Sequence, residues 1–214
     1  MKYLKPIRIA LWVMAGIATL ALLGQTYLKD VPERVQIGEP ISVDVDTPSG
    51  LPKHFEFSDF EFVDHRGETF ASDRLDGKPW IGFIFLTHCP TGACPVMIGK
   101  MADLQMAIPD ERVEFVSFSV DPERDTPDAM STYVERMTGK TPGDRWHLLV
   151  GETRDEMVAF AEENNLSVGD DFGHSTYFLL VDGDGWVRGL YGNNDPTAMA
   201  QVAADVAKLL ETEG

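Results

Sequence analysis

Two cysteines, Cys89 and Cys94, are the only thiols in the 214-residue chain and lie five positions apart near its middle. Residues 80–86 before them are entirely apolar and predict a buried strand, and Pro95 after them fits the first turn of a helix. Backbone N–H groups and the positive end of a helix stabilise anions, so we expect the pKa of a thiol at this junction to be lowered. The pattern indicates thiol chemistry, either a redox disulfide or a shared soft metal ion, with a structural disulfide of an exported domain as the alternative.

The elements around the cysteines are predicted to alternate between strands and helices. Strands are predicted at 80–86, 113–120, 146–150, 176–181 and 186–191, and helices from Pro95 to about 108 and over 127–137, 153–164 and 196–210. A β-hairpin over 55–70 precedes them, because alternating phenylalanines come before the turn residues 64–67. We therefore predict an α/β protein of the thioredoxin-like fold, with a mixed central sheet flanked by helices and an N-terminal β-hairpin.

His174 lies just before the predicted strand at 176–181. In a thioredoxin-like fold, the segment before the first strand of the last hairpin lies against the active-site loop, so we expect His174 near both cysteines. Thiolates prefer Cu(I) and Zn²⁺, and imidazole binds zinc and both oxidation states of copper. Cys89, Cys94 and His174 would form a three-coordinate or open four-coordinate site, which suits a protein that holds copper and passes it on.

Other candidate ligands are assigned structural roles. His88 follows a strand end, where its side chain should point away from that of Cys89. Three methionines share a helical segment with apolar neighbours and are expected in the core: Met97, Met101 and Met106. The aspartates of two further segments are expected in turns and at a helix start instead of metal sites: Asp121, Asp125, Asp182 and Asp184.

The first 29 residues are predicted to be a membrane anchor. Basic residues and no acid occur in residues 1–8, and residues 9–28 carry no charge. Twenty residues at about 1.5 Å each span about 30 Å, the thickness of a bilayer's hydrocarbon core, and the basic flank favours the cytoplasmic side. A cleaved signal peptide is the alternative, but no clear cleavage site follows Leu23. We expect a single-pass protein of the cytoplasmic membrane whose soluble domain faces the periplasm or the outside.

The remaining chain is predicted to contain a tether over 30–52, which includes four prolines, and one domain over 53–214. A hydrophobic content of 43% is enough for one sizeable core. The formal net charge of −17 argues against nucleic acid as a partner, because the Lys and Arg residues that would neutralise phosphates are too few. A metal ion or a cationic partner would be attracted instead.

Three separated motifs resemble those of the Sco/SenC family. They are Thr87-His88-Cys89-Pro90 with Cys94-Pro95, the segment 119–126, and His174 followed by a strand that ends in Asp182-Gly183-Asp184-Gly185. The resemblance extends from Lys53 to Leu210. It implies a membrane-anchored, thioredoxin-fold protein that binds copper through Cys89, Cys94 and His174 and helps assemble the binuclear copper centre of cytochrome c oxidase. The implied partners are an oxidase subunit that receives copper or another copper carrier.

The sequence departs from the family pattern at two positions. Four residues separate the cysteines where the family usually has three, and we expect Gly92 to absorb the extra residue. Gly173 stands where an aspartate usually precedes the histidine, which removes one candidate partner for the imidazole.

Two alternative functions remain open. One is a thiol–disulfide oxidoreductase or thiol peroxidase, with Cys89 as the nucleophile and Cys94 as the resolving thiol. The other is a binding module in which the dithiol is idle. A metallochaperone is favoured over a redox enzyme, because a redox enzyme needs no His174 and usually has two residues between its cysteines.

Overall fold

A mixed β-sheet organises the domain, and the computed structural model describes residues 47–166 and 176–212. The strands of these residues are β1 (Glu61–Asp64), β2 (Thr69–Ala71), β3 (Trp80–Phe85), β4 (Glu114–Ser119), β5 (Trp146–Val150), β6 (Tyr177–Val181) and β7 (Val187–Gly192). The helices are α1 (Ala93–Ala107), α2 (Pro127–Thr138), α3 (Arg154–Glu163) and α4 (Ala198–Thr212), and a 3₁₀ turn occupies Ser72–Leu75.

The strand order across the sheet is β2-β1-β5-β4-β3-β6-β7. Strand β4 runs parallel to both β3 and β5, whereas β6 is antiparallel to β3 and the hairpins β1–β2 and β6–β7 are antiparallel. Every residue of β3, β4 and β5 is buried, which is the pattern of strands covered on both faces. The predicted α/β architecture, with a mixed central sheet flanked by helices and an N-terminal β-hairpin, is confirmed.

Local sequence signals determine where two of the helices begin. Thr126 caps α2, because its hydroxyl accepts a hydrogen bond from the Ala129 N–H at 3.3 Å, and a proline follows at the first helical position. Thr153 and Glu156 form the capping box of α3. The Thr153 hydroxyl accepts a hydrogen bond from the Glu156 backbone N–H, and the Glu156 carboxylate accepts one from the Thr153 backbone N–H. Both starts agree with the sequence prediction.

Aromatic packing forms much of the core between the hairpin and the central strands. The ring of Phe118 on β4 contacts Phe60 and Phe160, with ring centroids 5.1 and 5.0 Å apart, and Phe62 lies 5.0 Å from Phe160. Such offset and edge-to-face pairs contribute about 0.5–1.5 kcal/mol each beyond the area they bury. The hairpin phenylalanines therefore attach β1 to the rest of the sheet.

The three methionines of α1 do not share one environment. Met97 and Met101 are fully buried, as predicted, but Met106 is 63% exposed. The prediction that Met106 packs in the core is therefore wrong, because Met106 follows the buried Leu104 by two residues, about 200° around α1, and so lies on the face turned away from the core.

Arg188 ties residues before β1 to the last hairpin. Its guanidinium forms a buried ion pair with Asp182 at 2.6 Å and donates to the Thr47 hydroxyl at 2.8 Å and to the Leu51 carbonyl at 2.6 Å.

Among residues 47–166 and 176–212, no helix is long and apolar enough to cross a membrane. The predicted anchor over 9–28 lies outside the described residues.

Candidate metal and thiol site

The cysteine loop connects the carboxyl end of β3 to the first turn of α1. Cys89 is half-buried, and Cys94 is fully buried as the second residue of the helix. The Cys94 backbone N–H points to the Cys89 sulfur, 3.5 Å from N to Sγ, and the Thr91 hydroxyl lies 3.3 Å from the same sulfur. The loop thus brings the two cysteines together, with the sulfur of Cys89 at the amino end of α1, where negative charge is favoured.

Gly92 makes the four-residue spacing between the cysteines possible. It precedes α1 with φ 72° and ψ 7°, a left-handed conformation that glycine adopts without the steric cost of a side chain. The helix therefore begins at Ala93, two residues before the predicted start at Pro95. The chain turns at Gly92, so that the backbone N–H of Cys94 points to the sulfur of Cys89. The left-handed backbone of Gly92 agrees with the expectation that this residue accommodates the extra position between the cysteines.

Cys94 differs from the sequence prediction in its acidity. Burial is the main cause that raises the pKa of the Cys94 thiol, and a hydrogen bond with the Cys89 side chain raises it further. We expected the helix start to lower the pKa of thiols in this loop, and for Cys94 this is wrong. The reason is that a fully buried thiol loses the hydration of its charged form, which outweighs the effect of the helix end.

Asp125 holds the strand end that leads into the loop. Its carboxylate is fully buried and accepts hydrogen bonds from the Thr87 N–H at 3.1 Å, the Thr87 hydroxyl at 2.5 Å and the Ser119 hydroxyl at 2.5 Å. The sequence pattern placed Asp125 in a turn or at a helix start, and the family resemblance of the segment 119–126 left open a role in shaping the site without indicating the contact with Thr87. The parallel register that pairs Phe85 with Ser119 is the signal that would have indicated it, because the loops after two adjacent parallel strands meet at the same edge.

A cavity of about 430 Å³ adjoins the loop on the side of α2. Thr87 and His88 form one wall, and Tyr133 and Arg136 form part of the other. Burial raises the pKa of the Tyr133 phenol, and nearby Cys94 and Cys89 raise it further. His88 is exposed, and its Nδ1 lies 2.9 Å from the Thr87 hydroxyl.

The third predicted ligand, His174, lies outside the described residues. Within 47–166 and 176–212, no group of three His, Cys, Asp or Glu side chains is arranged to hold a metal ion. The dithiol therefore supplies two soft donors, and a complete three-ligand site requires a donor from elsewhere in the chain or from a partner.

A dithiol at the β3–α1 junction of a mixed sheet defines a thioredoxin-like thiol or metal-binding domain. The chain belongs to the SCO1/SenC family, whose profile matches residues 49–211. The resemblance to the Sco/SenC family seen in the sequence is therefore confirmed.

Relatives in this family cover most of the domain. The SCO1 protein homolog of Bacillus subtilis is 29% identical over 163 residues, which are 72% of this chain and 83% of the relative. The crystal structure of a SCO1/SenC family lipoprotein from Bacillus anthracis is 29% identical, with a TM-score of 0.65 over 73% of this chain and 95% of that one.

Two further structures bear on the chemistry of the family. BsSco, described as a cytochrome c oxidase assembly protein with a disulfide switch, is 29% identical, with a TM-score of 0.63 over 72% of this chain and 93% of that one. ScoI of Bradyrhizobium japonicum was crystallised with copper bound; it is 24% identical, with a TM-score of 0.58 over 72% of this chain and 99% of that one. At this identity, the likeness to ScoI shows the fold alone.

Proposed function

We propose that this protein is a membrane-anchored copper-binding assembly factor, which holds copper at Cys89 and Cys94 with His174 as the third ligand. It delivers the copper to the binuclear centre of cytochrome c oxidase or keeps the thiols of that centre reduced. The observation that carries the proposal is the convergence of the two cysteines at the start of α1, in a chain of the SCO1/SenC family. Residues 9–28 anchor the protein, and the receiving partner is an oxidase subunit or another copper carrier.

The donor set fits Cu(I) better than a hard cation. Two sulfur ligands and one imidazole suit a soft monovalent ion, whereas Ca²⁺ and Mg²⁺ require oxygen ligands. The fold is shared with a relative that carries copper, and BsSco belongs to the cytochrome c oxidase assembly proteins. A lipoprotein among the relatives is also in keeping with attachment of this domain to a membrane surface.

Copper titration of the full-length, reduced protein in detergent tests this proposal. Cu(I) is supplied under anaerobic conditions against a colorimetric chelator, and the variants Cys89→Ser, Cys94→Ser and His174→Ala are compared with the wild type. We expect one Cu(I) per chain, loss of binding in either serine variant, and affinity at least about tenfold weaker in His174→Ala, equal to about 1.4 kcal/mol. Unchanged affinity in His174→Ala would reject the three-ligand site, and failure of the wild type to bind would reject the function.

A thiol–disulfide oxidoreductase is the second candidate, favoured by the unequal exposure of the two cysteines. The half-buried Cys89 thiolate would attack a partner's disulfide, and Cys94 would then displace the partner's thiolate from the mixed disulfide. The protein's dithiol thereby loses two electrons and two protons, and the partner's disulfide gains them. The raised pKa of Cys94 disfavours the second step, because a thiolate is the attacking species.

Redox titration separates the two candidates. If titration against a protein disulfide leaves the Cys89–Cys94 dithiol reduced, an oxidoreductase role is excluded. Rapid reduction of a protein disulfide by the wild type, combined with no stoichiometric binding of Cu(I), would instead favour the enzyme.

A further inference from the structure

The hydroxyl of Tyr133 on α2 is a buried polar group that lacks a hydrogen-bond partner among the described residues. Its side chain is 4% exposed, and no donor or acceptor of residues 47–166 and 176–212 lies within hydrogen-bond distance of the phenol oxygen. Buried tyrosines usually find such a partner, because a hydroxyl that leaves water without one is destabilising. An unpaired buried hydroxyl in a native fold therefore calls for an explanation, and a role at a functional site is one.

The ring of Tyr133 packs against the strand that leads to the cysteine loop. It stacks on the ring of Phe85, the last residue of β3, with centroids 6.3 Å apart and an angle of 17° between the planes. Burial raises the pKa of the Cys94 thiol most, and a hydrogen bond from the Leu86 N–H to that side chain opposes the rise. Phe85 and the peptide that follows it thus contact the Tyr133 ring on one side and the Cys94 thiol on the other.

The two thiols act electrostatically on the phenol of Tyr133. Burial raises its pKa most, and the charge that Cys94 can carry raises it further, followed by that of Cys89. Coulomb energies fall with distance and are weak in bulk water, so this effect requires the phenol and the thiols to share one poorly solvated region. Because Cys94 has no exposed surface, the part of this region next to its sulfur excludes bulk water.

A metal-bound Cys94 would need hydrogen-bond donors around its sulfur. Cysteine binds metal ions as the thiolate, and donors that replace lost water stabilise a buried thiolate. The phenol keeps its proton at neutral pH and has one O–H to donate, whereas a neutral thiol is only a weak acceptor. The Tyr133 hydroxyl therefore gains a strong acceptor only when Cys94 binds a metal ion.

We propose that Tyr133 is a positioning residue of the copper site, whose hydroxyl donates a hydrogen bond to the Cys94 sulfur when this sulfur binds Cu(I). This inference rests on the proposed copper-binding function and adds to it a residue outside the ligand set. The Cys94 thiol releases its proton to solvent as its sulfur forms the bond to the ion, while Tyr133 keeps its proton and copper remains Cu(I). The hydrogen bond orients the Cys94 side chain and stabilises its charge, so it strengthens copper binding.

Removal of the hydroxyl distinguishes this role from a structural one. In the metal-free protein the hydroxyl has no partner among the described residues, so Tyr133→Phe should not lower the urea midpoint. In the copper-loaded protein the variant lacks a donor to the thiolate, so its affinity for Cu(I) should fall about fivefold, equal to about 1 kcal/mol, mainly through faster release. A residue that only supported the fold would change the urea midpoint and the affinity together.

Tyr191→Phe is the matched control. Tyr191 is also buried, at 7% exposure, but its hydroxyl donates to the Asp205 carboxylate at 2.9 Å. The same chemical change should therefore have the opposite pair of effects. The urea midpoint should fall because a carboxylate loses a donor, and the affinity for Cu(I) should stay within about twofold of the wild type.

Chelator competition, urea unfolding and Raman spectroscopy of the full-length, reduced protein in detergent test this inference. Affinity and release of Cu(I) are measured anaerobically against bathocuproine disulfonate, and unfolding is measured on the metal-free protein. The intensity ratio of the tyrosine Fermi doublet reports whether a phenol donates a hydrogen bond. We expect this ratio to change when Cu(I) is added to the wild type and to Tyr191→Phe, and to stay constant in Tyr133→Phe.

The outcomes distinguish failure of the positioning role from failure of the proposed function. If the wild type binds Cu(I) and Tyr133→Phe binds it equally well, the positioning role is refuted and the proposed function stands. The same holds if loading leaves the doublet of the wild type unchanged or changes it equally in Tyr133→Phe. A urea midpoint that falls as far in metal-free Tyr133→Phe as in Tyr191→Phe also refutes the role, since the hydroxyl would then be paired without copper. If the wild type binds no copper, the proposed function fails, and the positioning role fails with it.

Discussion

Replacing Asp125 with asparagine removes the charge that holds the strand end before Cys89. The carboxylate accepts from three donors, two of them on Thr87 and one on Ser119. An asparagine of the same shape presents one oxygen and one NH₂ group, so at least one of these donors loses its acceptor. Hydrogen bonds to a charged group contribute roughly 1.5–3 kcal/mol each and neutral ones about 0.5–1.5 kcal/mol, so the variant should lose about 3 kcal/mol of unfolding free energy in total.

The loss can be measured by urea and thermal unfolding of the reduced protein. For a domain of this size, 1 kcal/mol shifts Tm by about 2–4 °C, so Asp125→Asn should melt about 6–12 °C below the wild type. Asp128→Asn is the control, because Asp128 is an exposed acid in the first turn of α2, where loss of its charge costs only about 0.3–1 kcal/mol. A change of less than about 0.5 kcal/mol in Asp125→Asn would refute the argument that this carboxylate anchors the loop.

Four further substitutions test other parts of the structure. Gly92→Ala should destabilise the domain by about 1–2 kcal/mol in urea unfolding because of the left-handed backbone, whereas Gly99→Ala, inside α1 with open space around it, should stabilise it by about 0.5–1 kcal/mol; equal signs would contradict the backbone argument. Burial lowers the pKa of His65 to about 4, so the unfolded chain takes up a proton that the native state does not, and stability should fall by about 2–3 kcal/mol as the pH decreases from about 6.5 to 4. In His65→Asn, which keeps an acceptor for the Leu148 N–H, this part of the pH dependence should disappear from denaturation curves; an unchanged slope would exclude His65 as its source. Arg188→Met leaves a buried carboxylate without its cation and should cost about 3–5 kcal/mol in urea unfolding, and a loss below about 1 kcal/mol would show that the ion pair is dispensable.

Signals that act within a few residues made the elements of this fold predictable. The cap at Thr126 and the capping box at Thr153 depend on contacts three residues away, and both helices begin where the sequence predicts. The buried strand before the cysteines was predicted from its unbroken apolar run, which is typical of a strand covered on both faces. These patterns were sufficient for the order of elements and for the position of Cys89 and Cys94 between a strand and a helix.

Long-range packing determined what the sequence did not reveal. Asp125 and Thr87 are 38 positions apart, and only the parallel pairing of β3 with β4 brings them into contact. The raised pKa of Cys94 depends on its complete burial, which a helix-start pattern does not report. Met106 lies in sequence between the buried Leu104 and Ile108 but on the opposite face of α1, and the apolar character of the segment did not distinguish the two faces.

The two cysteines differ in burial, and this difference constrains any reaction at the site. Cys89 accepts the helix N–H and is partly exposed, whereas burial disfavours the charged form of Cys94. A metal ion or a partner's disulfide must therefore react with Cys89 first, and Cys94 becomes a thiolate only when a bound cation compensates for its burial. For copper, this compensation is provided by the ion itself, because the positive charge stabilises the second thiolate as it binds. For an oxidoreductase no such cation is present, which supports the proposed metal-binding function over disulfide exchange.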